Sequence, residues 1–204
     1  LEGTAGSWLR GTVLMTVADI ARQQGNVQRA GQLAADALHE HEQAGSRWGQ
    51  AQAGTLLGDA ARYRGDLNAA EAHYRRSKQL YAAVGSANEP AADINLGLVL
   101  IEQARFSEAN LLLSEVHDRL EVAGHNRITV LVRACLLPCL AHDGDWRKWR
   151  YYMERIGLLT SGAVTDPDIA YVARMAARKA VSVGAYTQAL AAWRLALVQF
   201  EALG

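Results

Sequence analysis

The sequence lacks long apolar runs and a secretion signal. No stretch of eighteen consecutive apolar residues occurs among its 204, and only 3 residues are proline. A helix that crosses a membrane needs about 20 predominantly apolar residues, and the first residues do not show the charged-then-apolar pattern of an export signal. These absences argue against a membrane partner.

Charge of one sign is also missing. Lys plus Arg and Asp plus Glu number 21 each, so the formal net charge is zero. A protein that holds the phosphate backbone of a nucleic acid needs clustered cations. The balanced composition therefore predicts no nucleic-acid partner.

Cysteine is scarce, since only Cys135 and Cys139 are present. Four residues apart on a helix, their Cα atoms would lie about 6 Å from each other, and disulfides within a helix at that spacing are rare. Two free thiols are typical of a reducing compartment. The predicted location is therefore the cytoplasm.

Strand signals are absent, whereas helical periodicity is widespread. No segment alternates apolar and polar residues, and no Asn-Gly hairpin turn occurs. In segment 14–21, apolar residues instead recur at spacings of three and four, which is the helical period. Alanine, which favours helix, is abundant. The sequence predicts an all-α protein.

A six-residue motif recurs about every forty residues. In most copies it begins with Gly and a polar residue, continues with a large apolar residue, and ends with Ala. Successive starts differ by 40, 39, 40 and 40 residues, and a second glycine-containing break falls between copies, so each period contains two helices. The copies are residues 25–30, 65–70, 104–109, 144–149 and 184–189.

The glycine of each motif predicts a tight turn between paired helices. Glycine supplies the left-handed backbone conformation that ends a helix, and an Asn or Asp after it can cap the helix that follows. The alanine that ends the motif lets the two helices approach closely. Trp149 replaces this alanine in the fourth copy, so we expect that helix pair to open or shift.

These residues resemble the tetratricopeptide repeat. Leu57-Gly58 matches the Leu-Gly pair in that family's first helix, and Gly65, Ala70 and Tyr74 match its Gly, Ala and aromatic positions. The resemblance covers almost the whole chain. It implies an α-solenoid of about five antiparallel helix pairs in a right-handed superhelix.

The period departs from the usual pattern of that family. It is 40 residues here and about 34 in the family, so each helix gains nearly one turn. Long repeats of this type resemble those of large bacterial signalling proteins. HEAT and armadillo repeats have periods of about 40–47 residues, but they do not predict the Leu-Gly pair, and the tetratricopeptide interpretation is therefore preferred.

The repeats divide the chain into one continuous array over residues 1–204. Residue 1 is Leu, and both ends fall at repeat junctions. We therefore expect the chain to be a fragment of a longer protein. The approximate repeat bounds are 6–44, 45–84, 85–123, 124–163 and 164–204.

No catalytic or cofactor-binding motif is complete. The sequence has neither a Gly-x-x-x-x-Gly-Lys-Ser phosphate loop nor a Gly-x-Ser-x-Gly nucleophile elbow. Segment 39–42, His-Glu-His-Glu, lacks the zinc-protease spacing and is interpreted as a solvent-facing polar surface. Cys135, Cys139 and His142 share a helix face that could hold a metal, but two buried cysteines beside a surface histidine are preferred. We predict no enzyme activity, no metal and no cofactor.

A partner protein or peptide is predicted to bind the concave surface, which the first helices of stacked pairs line. This groove carries both charge signs in its N-terminal half and is basic at its C-terminal end, which suits an extended or helical peptide of alternating charge. The alternative is a solvated surface whose ion pairs contribute about 0.3–0.5 kcal/mol each. The predicted groove residues are Asp19, Arg22, Gln23, Asp59, Arg62, Tyr63, Asn95, Leu98, Glu102, Arg174 and Arg178.

The segment 187–203 indicates a second mode of association. It is apolar on most sides, although a terminal repeat normally needs a polar outer face. It could therefore bury Trp193, Leu197 and Phe200 against a second copy in a homodimer. The main functional prediction is a protein-interaction scaffold, within a bacterial signalling protein as the resemblance implies. Self-association and a small-ligand or peptide sensor are the alternatives.

Overall fold

The computed structural model describes residues 2–124, 126–160 and 166–203. These residues form ten α-helices and no strand, so the predicted all-α class is confirmed. The helices are α1 Glu2–Gln23, α2 Val27–Gln43, α3 Arg47–Tyr63, α4 Leu67–Ala83, α5 Glu89–Glu102, α6 Phe106–Ala123, α7 Asn126–Asp143, α8 Trp146–Thr160, α9 Pro167–Ser182 and α10 Tyr186–Leu203.

Left-handed residues end most of these helices, as the turn motif predicts. Glycine adopts a positive φ without the steric penalty that a Cβ brings. In the third motif, Ala104 takes the same conformation with φ of 59°. The glycines with positive φ, from 60° to 81°, are Gly25, Gly45, Gly65, Gly85, Gly124, Gly144 and Gly184.

Small residues set the distance between paired helices. A Cβ at Gly58 of α3 would lie 2.5 Å from the ring of Tyr74 on α4, so the tyrosine packs directly on the glycine backbone. Ala70, one turn before Tyr74, is also fully buried. The Leu-Gly and aromatic positions of the repeat therefore serve the packing of one helix against the next.

Residue contacts divide the chain into two compact units, Leu1–Val99 and Leu100–Gly204. In the first unit, α1 packs on α2 and on α3, α2 packs on α3, and α3 packs on α4. In the second unit, α7 contacts α6, α8 and α9, and α9 pairs with α10. Each unit thus consists of adjacent helical hairpins.

The fourth helix pair differs from the others, at the position where Trp149 replaces alanine. Its indole is only 2% exposed and meets the ring of Trp146 edge-on, with 6.3 Å between the centroids. Among the described residues, α7 and α8 pack less extensively than the pairs α1–α2, α3–α4 and α9–α10. Trp149 fills the position that alanine holds in the other copies of the motif, and its larger side chain offers a physical reason for the looser pairing.

The expectation of a solvent-facing surface over segment 39–42 is wrong for His41. Its side chain is fully buried, while His39 and Glu42 are exposed. The ring of His41 lies between two helices: a Cβ at Gly11 of α1 would be 2.8 Å from it, and a Cβ at Gly49 of α3 would be 2.3 Å from it. Two glycines, rather than a polar environment, create the space that this histidine fills.

Candidate peptide-binding surface

A cavity of about 420 Å³ opens between α1 and α3 in the first unit. The two helices contact each other directly, and each presents one face to the cavity because lining positions recur at spacings of three and four residues. Tyr81 of α4 adds an aromatic ring. The lining residues are Thr12, Met15, Thr16, Asp19, Ile20, Gln52, Thr55, Leu56 and Tyr81.

Three threonines give the cavity wall a weakly polar character. Thr12, Thr16 and Thr55 each donate a hydrogen bond to the carbonyl four residues earlier in their own helix, at 2.9, 3.1 and 3.0 Å. Each hydroxyl hydrogen is therefore engaged, whereas the oxygens of Thr12 and Thr16 keep the capacity to accept a bond. Together with the apolar side chains of Met15 and Ile20, this wall could receive an apolar side chain of a bound peptide, with backbone N–H donors of the peptide on either side of it.

An ion pair borders the cavity at Asp19. Its carboxylate accepts bonds from Arg22 at 2.6 Å and from Gln23 at 2.9 Å. Burial opposes the charge of Arg22, but the bond and charge of Asp19, with further attraction from Asp59 and Tyr63, raise the pKa of the guanidinium above its ordinary value. The spacing of three residues thus places Asp19 and Arg22 in an ion pair within the helix.

The corresponding acidic residue of α3, Asp59, accepts a hydrogen bond from a residue of α4. The hydroxyl of Tyr74 donates a hydrogen bond of 2.6 Å to Asp59. Next to it, the guanidinium of Arg62 lies 6.0 Å from the ring centroid of Tyr63, and Tyr63 is 56% exposed. The last two turns of α1 and α3 therefore present two carboxylates, two guanidiniums and an accessible aromatic ring. We call these turns the charged border; of its charged residues, Asp19 lines the cavity itself.

The predicted groove residues fall into two sets. Asp19, Arg22, Gln23, Asp59, Arg62 and Tyr63 occupy the last two turns of α1 and α3, and of these six Asp19 lines the cavity. In the second unit, Glu102 and Arg174 are half-buried, Arg178 is exposed, and the guanidinium of Arg174 stacks 5.2 Å from the ring of Tyr171.

Leu98 does not lie on an accessible surface. It is 1% exposed, whereas Asn95, on the same helix, is half-buried. The neighbouring apolar residues of α5 are buried on every side of the helix, so this helix has no solvent-facing apolar stripe. Extending the repeat pattern from the amphipathic α3 to α5 therefore assigned a core residue to the groove.

Sequence reasoning missed the floor of the cavity. Thr12 and Thr16 lie two turns and one turn before Asp19, and Thr55 lies one turn before Asp59. They share a helix face with the predicted residues, so the same periodicity could have found them. Tyr81 carried no such signal; its burial raises its pKa, and bonds to Thr55 and Asn88 oppose that effect.

A polar network in the second unit was also missed. The buried guanidinium of Arg133 on α7 donates to Glu121 at 2.6 Å and approaches His117 at 3.3 Å, both on α6. The ring of His117 lies 5.1 Å from that of Tyr152 on α8. Burial, with the negative charges of Asp118 and Glu121, raises the pKa of Tyr152 to about 12. This network joins three helices and has the character of a structural contact.

The cysteine–histidine face does not form a ligand set in the structure. Cys135 and Cys139 are free and buried, while His142 is exposed and stacks on Phe106 with 4.9 Å between ring centroids. Burial, with the negative charge of Asp143, raises the pKa of Cys139 to about 12. In the parts of the chain that the structure describes, no three His, Cys, Asp or Glu residues cluster as metal ligands.

The proposed self-association residues lie on an exposed face of α10. Trp193, Leu197 and Phe200 are between 42% and 56% exposed. Across the described ranges, no helix is both long and apolar enough for a bilayer crossing.

Comparison with known proteins gives structural relatives but no sequence family. No family model matches the chain, and no curated protein matches it. Among solved structures, the TPR-like repeats of a putative kinesin light chain from Podosopora anserina have a TM-score of 0.66 at 14% identity, covering 94% of this chain and 95% of that one. The predicted class of an all-α repeat solenoid is confirmed by this similarity.

Two further structures carry descriptions that bear on function. YrrB, described as a TPR protein with an unusual peptide-binding site, has a TM-score of 0.56 at 16% identity, covering 93% of this chain and 89% of that one. A signal-transduction ATPase with numerous domains and a tetratricopeptide repeat sensor, from Pyrococcus horikoshii, has a TM-score of 0.64 at 11% identity, covering 96% of this chain and 37% of that one. The chain therefore shares the fold of tetratricopeptide-like repeat proteins.

Proposed function

We propose that the chain is a protein-interaction scaffold that binds a peptide segment of its partner across α1 and α3. The observation that carries the proposal is the cavity between these helices, whose volume of about 420 Å³ lies in the range of about 300–1,000 Å³ that is usual for ligand sites. The apolar side chains that line the cavity, together with the charged border, distinguish it from an ordinary solvated helix surface.

The chemistry of the lining describes the peptide. Met15, Ile20 and Leu56 provide apolar contacts for one anchoring side chain. At the border, the paired charges of Asp19 and Arg22 favour neighbouring peptide residues of opposite charge, because each can exchange one member of an existing ion pair. The proposed ligand is thus an extended or helical segment with an apolar anchor beside residues of alternating charge.

The structural comparisons support binding as a class of function. A peptide-binding site is described for YrrB and a repeat sensor for the signal-transduction ATPase, and both share this fold. On that basis we propose that the chain serves within a larger cytoplasmic signalling protein. We assign it no catalytic role, because the sequence contains no complete catalytic motif.

A selected peptide tests this proposal. A random dodecapeptide phage library is panned against the chain, and the dissociation constant of the best peptide is measured by fluorescence polarisation. Thr16→Trp fills the cavity from an exposed position, so we expect it to weaken binding at least tenfold. The matched control is Thr187→Trp, the same change on the exposed surface of α10, which should leave affinity within about twofold.

A second variant tests the charged border. Replacing Arg62 and Tyr63 together by Ala should weaken peptide binding while the unfolding midpoint stays nearly constant, because Tyr63 is exposed and Arg62 is half-buried. The proposal is contradicted if Thr16→Trp and the double variant bind the selected peptide as tightly as the unmodified chain.

A further inference from the structure

Helix α10 carries an uncovered apolar seam. Large apolar residues follow one another at alternating spacings of four and three residues, the pattern of a coiled-coil interface, and all are between 42% and 71% exposed. The seam consists of Tyr186, Leu190, Trp193, Leu197 and Phe200.

The equivalent positions of α2 show what kind of surface covers such a seam. The fifth and fifteenth residues of α2 are Gly31 and His41, and in α10 they are Leu190 and Phe200. Both α2 residues face α3: a Cβ at Gly31 would lie 3.3 Å from Ala60, and the ring of His41 packs on Gly49. This side of a second helix is therefore shaped to receive another helix.

The face of α1 is a poor match for the seam. Leu9 and Val13 of α1 are exposed and lie sixteen and twelve residues before the turn at Gly25. The equivalent residues of α3, sixteen and twelve residues before the turn at Gly65, are Gly49 and Ala53. On α3 these positions are small and accommodate α2. On α1 they are large, so α10 of a second copy cannot seat on α1 as α2 seats on α3.

The charges beside the seam are complementary to themselves. Arg194 and Glu201 are exposed and lie seven residues apart, about 10.5 Å along the helix, on one side of the seam. When two helices pair about a two-fold axis perpendicular to them, the same side of each meets. Arg194 then faces Glu201 of the partner subunit, and the reciprocal pair forms at the same time. In a parallel pair, Arg194 would instead meet the opposite side, where Ala189 and Ala196 are buried.

We propose that two copies of the chain associate through an antiparallel pairing of α10, centred between Leu197 and Val198. Trp193, Leu197 and Phe200 of both copies form the apolar centre. About half of each side chain is exposed, so the pair removes roughly 450–750 Å² from water, taking about 150–250 Å² for each whole side chain, the value for an aromatic residue. This area is below the range of about 1,200–2,000 Å² for stable complexes, and the dimer is therefore weak and reversible.

Sedimentation equilibrium of the 204-residue chain, up to about 500 µM, tests the proposal. The expected result is a reversible equilibrium between monomer and dimer with no larger species. Leu197→Lys should raise the dissociation constant at least tenfold, because it places a charge at the centre of the seam. The control Val13→Lys on α1 should leave it unchanged, and circular dichroism melting should show that both variants fold.

Charge reversal tests the orientation of the helices. Arg194→Glu and Glu201→Arg should each weaken the dimer, since each places like charges opposite one another, and the double variant should restore the affinity to within about twofold. A chain that stays monomeric up to about 500 µM would overturn the proposal. Two results would overturn the antiparallel geometry. One is the formation of assemblies larger than a dimer that Val13→Lys disrupts as strongly as Leu197→Lys does; the other is a double charge reversal that fails to restore the affinity.

Discussion

Substituting Gly49 by Ala tests the packing of the first three helices. A Cβ at this position would lie 2.3, 2.4 and 2.6 Å from three atoms of the His41 ring, far inside van der Waals contact. The ring has little room to withdraw, because its other side packs on Gly11 of α1, where an added Cβ would lie 2.8–2.9 Å from the ring. Accommodating the methyl group therefore requires α1, α2 and α3 to move apart.

The magnitude follows from two opposing effects. Overpacking a well-packed core costs about 1–3 kcal/mol, and the clamped ring places this site toward the upper end. Replacing Gly by Ala within a helix returns about 1 kcal/mol through helix propensity. We therefore expect Gly49→Ala to lower the free energy of unfolding by about 1–2 kcal/mol.

Urea denaturation followed by circular dichroism measures this change. The control is Gly157→Ala in α8, where a Cβ meets nothing within 4 Å; it should stabilise the chain by about 0.5–1 kcal/mol. Adding His41→Ala to Gly49→Ala should make the two changes non-additive, because the small side chain removes the clash. If Gly49→Ala proves as stabilising as Gly157→Ala, the packing of His41 between two glycines is wrong.

Three further predictions concern the turns, the buried histidine and the thiols. Ala104→Gly should raise the urea midpoint of unfolding by the equivalent of about 0.5–1 kcal/mol. The left-handed conformation costs alanine about 1–2 kcal/mol, and the greater conformational freedom of glycine in the unfolded chain offsets part of the gain from removing this strain. A lower midpoint would contradict the presence of strain at Ala104. Burial lowers the pKa of His41, so the folded chain favours the neutral imidazole and the free energy of unfolding should decrease as the pH falls below about 6.5. His41→Gln should reduce this dependence of stability on pH, measured by urea titrations across the same range. An unchanged dependence would show that His41 is not its source. Cys135 and Cys139 are buried and should react with Ellman's reagent only after denaturation in guanidinium chloride, whereas rapid reaction of the native chain would show that one of them is accessible.

The sequence predicted the helices and their turns because both depend on local interactions. Glycine at the start of the turn motif, as at Gly65 and Gly144, adopts the left-handed conformation, and the spacing of apolar residues sets which face of a helix is buried. The same periodicity gave the proposed groove residues of α1 and α3, whose role in binding stays a prediction. These features needed no knowledge of which helices meet.

Predictions failed where burial depends on a neighbouring helix. The sequence around His41 reads as polar, and only the placement of Gly11 and Gly49 opposite its ring explains its burial. Leu98 occupies the same repeat position as the half-buried Asp59 of α3, but the apolar residues around it on α5 are buried on every side of that helix. The cavity likewise depends on how far α1 and α3 lie apart, and no local pattern specifies that distance.

The most direct test of the account maps where the peptide binds. Amide chemical shifts of the isotope-labelled chain are recorded while the peptide selected from the random dodecapeptide library is added. We predict the largest chemical-shift changes within residues 12–23 and 52–63, which include the cavity wall and the charged border. Changes confined to α9 and α10, with none in those two segments, would contradict it.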